Sequence, residues 1–244
     1  ELSAYYERKH REAGVDIRTG VQVADLEVTG DAVTAVLCAD GSRLEADGDP
    51  IWLEPLRLAG GGLKRIAMVS KAEVSTDGLV DLAYGNLSRY LRRSHQVLEH
   101  PYDWRKPLGE LGAAFARRLD RALDDNPDQP VRILAHSMGG LVVRAALAAR
   151  PGLWDKFIAR DGNRLVMLGT PNRGSHLFVE TLLGQSDTIR TLARLDLAQG
   201  LQEVLDIVAG FPGALQLLPA PGFIDTDGRP PRAFYERATW DALA

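Results

Sequence analysis

Ser137 stands in Ala135-His136-Ser137-Met138-Gly139, directly after the apolar run Val131-Arg132-Ile133-Leu134 and just before Leu141-Val142-Val143-Arg144-Ala145-Ala146-Leu147. Residues 131–135 alternate as a strand does, and the later run has the period of a helix. A serine at the tip of a small-residue turn between the two is the arrangement of a nucleophile elbow. There a strained strand-to-helix turn lifts the Oγ above the sheet edge, where it can attack an ester carbonyl. The usual form is G-x-S-x-G. Ala135 at the first small position still fits, because that site needs a small side chain more than it needs positive φ. The backbone N–H of Met138, next after the nucleophile, is the first donor expected for the oxyanion. The plainer alternative is a serine in an ordinary strand-to-helix connection.

A serine hydroxyl is a weak nucleophile and needs a histidine base, oriented by a carboxylate. After Ser137 the only histidine is His176; the others are His10, His95, His100 and His136. His136 is expected to point away from the nucleophile, as neighbours on a strand end do. His176 follows the turn Gly169-Thr170-Pro171-Asn172-Arg173-Gly174-Ser175, and its plainer reading is a half-exposed loop histidine. Asp196, Asp225 and Asp227 are candidate acids that nothing singles out from solvated surface carboxylates. The sequence thus offers Ser137 without an identifiable acid and base, and weak or absent esterase activity is the expectation.

Two unlike parts must position these residues. In residues 1–47, Ser3 to Arg11 reads as a helix closed by Gly14, and Val15-Asp16-Ile17 as a short strand. Val21 to Val28 and Val33 to Cys38 alternate around a Thr29-Gly30-Asp31 turn, and Asp40-Gly41 turns into Arg43-Leu44-Glu45, giving a β-meander. Residues 48–244 alternate helices and strands in α/β fashion. Ile66 to Val69 and Gln96 to Glu99 are expected as short strands, and Leu87 to Gln96 as a helix. Leu108, Leu111, Phe115, Leu119 and Leu123 line one face of a helix ending near Asp125, and Arg164 to Leu168 forms the strand after the elbow. The late apolar stretch Ile207 to Ile224 contains Pro212, Pro219 and Pro221. It reads as an irregular lid or a lipid-facing surface rather than a membrane helix.

The second part resembles bacterial relatives of the lecithin:cholesterol acyltransferase family, which are α/β-hydrolases. The resemblance rests on Ile51-Trp52-Leu53, Pro101-Tyr102-Asp103-Trp104-Arg105, Ala135 to Leu141 and Leu168 to Ser175, in the expected order. It implies a three-layer α/β-hydrolase-like parallel sheet, here partial, preceded by the meander segment. It also implies a lipase, esterase or O-acyltransferase working through an acyl-Ser137 intermediate, with acid and histidine beyond the matched region. Gly41-Ser42 occupies the place of the family's loop that gives the second oxyanion donor, but follows a strand resembling the reductase; either the join mimics that loop or the second donor is gone. For Pro101 to Arg105 a packed aromatic loop with an Asp–Arg pair is an equally good reading. The first part resembles the NAD-binding domain of ferredoxin reductase-type flavoproteins, on Ser3 to Arg8, His10 to Gly20, Val33 to Cys38 and Asp40-Gly41.

Dinucleotide binding needs G-x-G-x-x-G between a strand and a helix, and this sequence has none. Gly60-Gly61-Gly62-Leu63-Lys64 has neither that spacing nor that of a P-loop. No cofactor, NAD and FAD included, is therefore expected. A net charge of -4 without basic runs argues against nucleic acid. Cys38 is the single cysteine and reads as an inert thiol; His95, Glu99 and His100 have no metal-binding spacing, so no metal is expected. Asn86-Leu87-Ser88 matches a glycosylation sequon and reads as coincidence. The expected partner is a lipid or ester small molecule, with peripheral contact to a lipid surface and the oligomeric state open. Localisation is open, the cytoplasm being the default. Two other readings stand beside the hydrolase: an NAD/FAD-dependent reductase fragment, and a non-catalytic hydrolase-like interaction module. The join of two family-like pieces and the non-Met start suggest a truncated, recombined or designed chain.

Overall fold

Residues 23–29, 32–39, 43–45, 62–69, 76, 78–195, 200–223 and 232–243 are described by the computed structural model of the chain. They fall into two compact units, one within residues 1–62, 73–101 and 195–198, the other within 63–72, 102–194 and 199–244. The expected helix Ser3 to Arg11, the strand Val15 to Ile17, Gly41-Ser42 and Ile51-Trp52-Leu53 lie outside the described residues.

In the first unit β1 (Val23–Thr29), β2 (Ala32–Cys38) and β3 (Arg43–Glu45) form an antiparallel sheet in that order. Its register sets Leu26 opposite Val36 and Val36 opposite Leu44. This is the meander that the alternating pattern predicts. Another helix of this unit differs from expectation. It spans Asp81–Leu91 and ends where Ser94 and His95 N–H groups bond the Leu91 carbonyl. Residues 96–99 are not a strand. The Glu99 carboxylate instead accepts from Ser88 Oγ at 2.7 Å and Arg92 Nη2 at 2.8 Å, so a side-chain tie to the helix replaces ladder pairing.

In the second unit α1 (Gly62–Ile66) corrects the strand expected over Ile66 to Val69. Leu63 and Ile66 are both buried and three apart, a helical spacing that a four-residue apolar run could not reveal, while Val69 is exposed. In chain order, the helix Asp81–Leu91 is α2 and Leu108–Asp125 is α3. Leu111, Ala116, Leu119 and Leu123 of α3 are buried at helical spacing. Its first N–H, on Leu108, bonds Gln216 Oε1 at 2.7 Å, and Arg160 donates to the carbonyls of Leu123 and Asn126 at its far end. Both termini thus find partners for groups the helix cannot pair itself.

β4 (Arg132–His136) leads into α4 (Met138–Ala149) and α5 (Pro151–Ile158), and β5 (Arg164–Leu168) returns parallel to β4. Asn163 starts both strands: its Oδ1 accepts from Val131 N–H at 2.6 Å and its Nδ2 donates to the Phe157 carbonyl. Ile133 and Ala135 face a core of Leu119, Leu123, Val143, Ala146, Leu153 and Phe157, so α3, α4 and α5 cover one face of the pair. Gly112 permits the close α3–α4 approach, since a Cβ there would lie 2.8 Å from Ala146 N. Asp120 of α3 also bridges to Arg150 and Lys156. On the opposite face Leu134, Val166 and Leu168 are exposed. Among the described residues the parallel sheet therefore has two strands and helices on one face, an α/β layering without the third layer.

The helices α6 (His176–Leu182), α7 (Asp187–Leu195), α8 (Leu201–Ala209), α9 (Pro212–Leu215) and α10 (Arg237–Asp241) follow. Of the stretch read as an irregular lid, only the end of α8 and the four-residue α9 are helical among the described residues. Val204, Val208, Phe211, Ala214 and Leu218 are buried, and Phe211 meets Trp104 edge-on at 5.2 Å. Apolar residues that looked fit for lipid are used inside the fold. No helix among the described residues is long and apolar enough to cross a membrane.

Candidate active site

Ser137 occupies the junction of β4 and α4 with φ 51 and ψ -129. Among the described residues it alone combines a side chain with positive φ. Such a backbone costs about 1–3 kcal/mol and persists only where the surroundings impose it. Its N–H bonds the Leu168 carbonyl at 2.9 Å, continuing the β4–β5 ladder by one residue, and Gly140 N–H bonds its carbonyl at 3.1 Å. Ser137 is the N-cap of α4, yet its hydroxyl makes no capping bond. The side chain is exposed. The hydroxyl is thus not spent on its own helix, and the residue is open to solvent.

Met138 follows as the first residue of α4, and its buried side chain packs with Leu111 and Val142. The first N–H groups of a helix lack intrahelical acceptors and carry the positive end of its dipole, which suits the Met138 N–H to a developing oxyanion. Gly213 keeps this anchor tight. Its N–H bonds the Arg105 carbonyl at 2.9 Å, and a Cβ there would strike the Trp104 and Lys106 carbonyls and come within 3.1 Å of Met138 Cε.

The loop after β5 runs beside the elbow. Gly169 and Gly174 take positive φ there, and Ser175 caps α6 by accepting from Leu177 N–H at 3.2 Å. Arg144 of α4 donates to Asn172 Oδ1 at 2.8 Å, tying this loop to the elbow's helix. Thr170 lies against Gly140, with its Oγ1 buried and unpaired. In the sequence, Thr170 is marked only by its place between the strand-ending Gly169 and Pro171.

His176 is placed by aromatic rings rather than by catalytic partners. It opens α6, tilted against Phe223 at 5.1 Å and edge-on to Phe234 at 5.8 Å. No hydrogen bond joins it to Ser137 or to a carboxylate among the described residues. His136 lies opposite Leu168 on β4, exposed, on the strand face away from Ile133 and Ala135. Asp196, Asp225 and Asp227 fall outside the described residues. Glu99 lies in the other unit; hydrogen bonds from Ser88 and then Arg92 hold its carboxyl below the usual range.

Asp103 and Arg105 form a two-pronged pair, Nε to Oδ1 and Nη2 to Oδ2, each 2.7 Å, and Arg105 Nη1 also donates to the Ile66 carbonyl. Burial works against the Asp103 charge, but the Arg105 hydrogen bonds and charge outweigh it and lower its pKa. The stretch Pro101 to Arg105 is thus a packed aromatic loop with an internal ion pair, locked under α9.

Comparison with known proteins bears on both parts of the chain. A stretch of 48 residues is 65% identical to putidaredoxin reductase CamA of Pseudomonas putida, covering 19% of this chain and 11% of that protein. The chain thus spans about a tenth of that curated relative's length. No solved structure matches the chain. The family model for lecithin:cholesterol acyltransferase matches residues 59–227, a span that includes β4, the Ser137 turn, β5 and the loop beyond it. The chain belongs to the lecithin:cholesterol acyltransferase family.

Proposed function

We propose that this chain performs acyl transfer from lipid-like esters, with Ser137 as nucleophile and the Met138 N–H as an oxyanion donor, in a hydrolase-like unit of residues 48–244. Family membership supports a lipid acyltransferase or esterase. The observation that carries the finer reading is the Ser137 backbone, strained and exposed at a strand-to-helix junction with its hydroxyl unspent. In the proposed reaction Ser137 Oγ bonds to the ester carbonyl carbon as its proton leaves to a base. The carbonyl oxygen gathers negative charge beside the Met138 N–H. The bond to the alcohol oxygen then breaks, the alcohol takes up a proton, and acyl-Ser137 remains. Water or a second alcohol releases the acyl group; both outcomes share this first half.

The base is the weak part of the apparatus, because His176 is engaged with Phe223 and Phe234. Turnover of p-nitrophenyl esters by the wild type, Ser137→Ala and His176→Ala tests the whole reading. A slow acylation lost in Ser137→Ala and kept in His176→Ala is expected. Robust turnover lost in both variants would instead make His176 the base. A second reading, a fragment of an NAD/FAD-dependent reductase, draws on the 48-residue stretch that is 65% identical to putidaredoxin reductase. Saturable NADH or FAD binding at micromolar ligand, followed by fluorescence, would favour it; the lack of a glycine fingerprint in this sequence speaks against it.

A further inference from the structure

Thr170 comes two residues after β5 ends, and its side chain lies against Gly140 in the first turn of α4. A Cβ on residue 140 would fall 2.6 Å from Thr170 Cγ2, 2.8 Å from its Cβ and nearer still to Oγ1. No side chain fits between them. A backbone tie precedes the contact, Ser137 N–H to the Leu168 carbonyl at 2.9 Å, and the loop turns on itself where Asn172 N–H bonds the Thr170 carbonyl at 2.8 Å. Arg144 grips Asn172 from α4 itself.

We propose that Thr170 is a positioning residue for Ser137, its branched side chain filling the space against Gly140 and so holding the first turn of α4. Through that turn it keeps the Ser137 backbone at positive φ and the Met138 N–H aimed. A sparsely populated backbone conformation survives only when its surroundings over-determine it. Ser137 gives the turn no capping bond, and Gly139 and Gly140 have the most backbone freedom of any residue type. Packing has to supply what capping does not. Shape is the working part of Thr170. Among the described residues its hydroxyl finds no partner, and a buried hydroxyl without one is a net cost. A valine carries the same stiff branching without that cost.

The effect on rate rests on the reading of Ser137 as nucleophile; the packing claim does not. Thr170→Val and Thr170→Ala in the full chain separate the two, read by amide hydrogen exchange at Ser137 and Gly140, whose N–H groups bond the Leu168 and Ser137 carbonyls, and by the rate of fluorophosphonate labelling at Ser137. Thr170→Val is expected to keep both within about twofold of the wild type, since the branched shape is kept and the buried hydroxyl has no partner among the described residues to lose. Thr170→Ala is expected to speed exchange at those amides and to slow labelling by about tenfold or more, the scale on which a small misplacement costs rate. Loss of protection in Thr170→Val would overturn the proposal even if the alanine variant failed to fold. Unchanged exchange in Thr170→Ala would overturn it equally. Labelling absent from every chain, with exchange behaving as stated, would sink the nucleophile reading and leave the packing role intact.

Discussion

Ser137 and Ser175 are both N-cap residues of helices that follow strands of the parallel pair, and they use their hydroxyls in opposite ways. Ser175 has an extended backbone, φ -146, and spends its hydroxyl on the Leu177 N–H. Positive φ in its loop is left to Gly169 and Gly174, where it costs nothing. Ser137 takes the positive φ itself, makes no capping bond and stays exposed. Serine is favoured at N-caps because its oxygen satisfies a helix N–H. One crossover follows that rule and gains stability. The other breaks it and gives stability up, as the proposed role of Ser137 as nucleophile requires.

The largest expected effect strikes the conforming crossover. Gly174 has φ 89, and a Cβ there would lie 2.6 Å from the Leu218 carbonyl carbon. Gly174→Ala therefore combines backbone strain with a clash, and we expect a loss of about 3 kcal/mol or more, read as a fall in the urea midpoint. Equal stability to the wild type would mean the loop is not locked as described.

Next come the two caps, with opposite signs. Ser175→Ala should lose about 1 kcal/mol, the usual worth of a capping hydroxyl. Ser137→Gly should gain about 1 kcal/mol by releasing strain, while abolishing reaction with acylating probes. Denaturant curves of both variants check the comparison directly; the same sign for both would break it.

The smallest effect is one of pH. Asp103 keeps a lowered pKa through Arg105, so its stabilising contribution is complete above the ordinary aspartate value of about 3.9 and is lost as the pH falls through the lower folded value. The stability difference between wild type and Asp103→Asn should accordingly shrink below about pH 4, followed as Tm against pH. A gap that widens in acid would give the pair the wrong sign.

Local pattern and tertiary capture divide what the sequence could tell. β4, β5, α3 and the meander were legible because each has a clean period and turn signals at its ends. The Ser137 junction was legible for the same reason, as strand, small turn and helix in order. Ile66 misled because its apolar run was too short to have a period and its partner Leu63 lay just outside it. Glu99 misled because Ser88 and Arg92, not a strand, claim it. In the stretch from Ile207 to Ile224, apolar and broken by proline, the local pattern gives no sign of which side chains are buried. Its true neighbour, Trp104, is about a hundred residues away, beyond any local reading. His176 belongs to the same class, its ring set by Phe223 and Phe234. The backbone angle of Ser137, the strongest sign at the site, was legible only through the elbow motif, since a serine by itself does not favour positive φ.

The claim that Ser137 is a presented nucleophile is tested most directly by incubating the full chain with a fluorophosphonate and mapping the modified peptide by mass spectrometry, with Ser137→Ala alongside. The account predicts a single adduct on Ser137, slow to form, and none on Ser175 or in the Ser137→Ala chain. An unmodified Ser137 after prolonged incubation, or adducts spread equally over other serines, would contradict it.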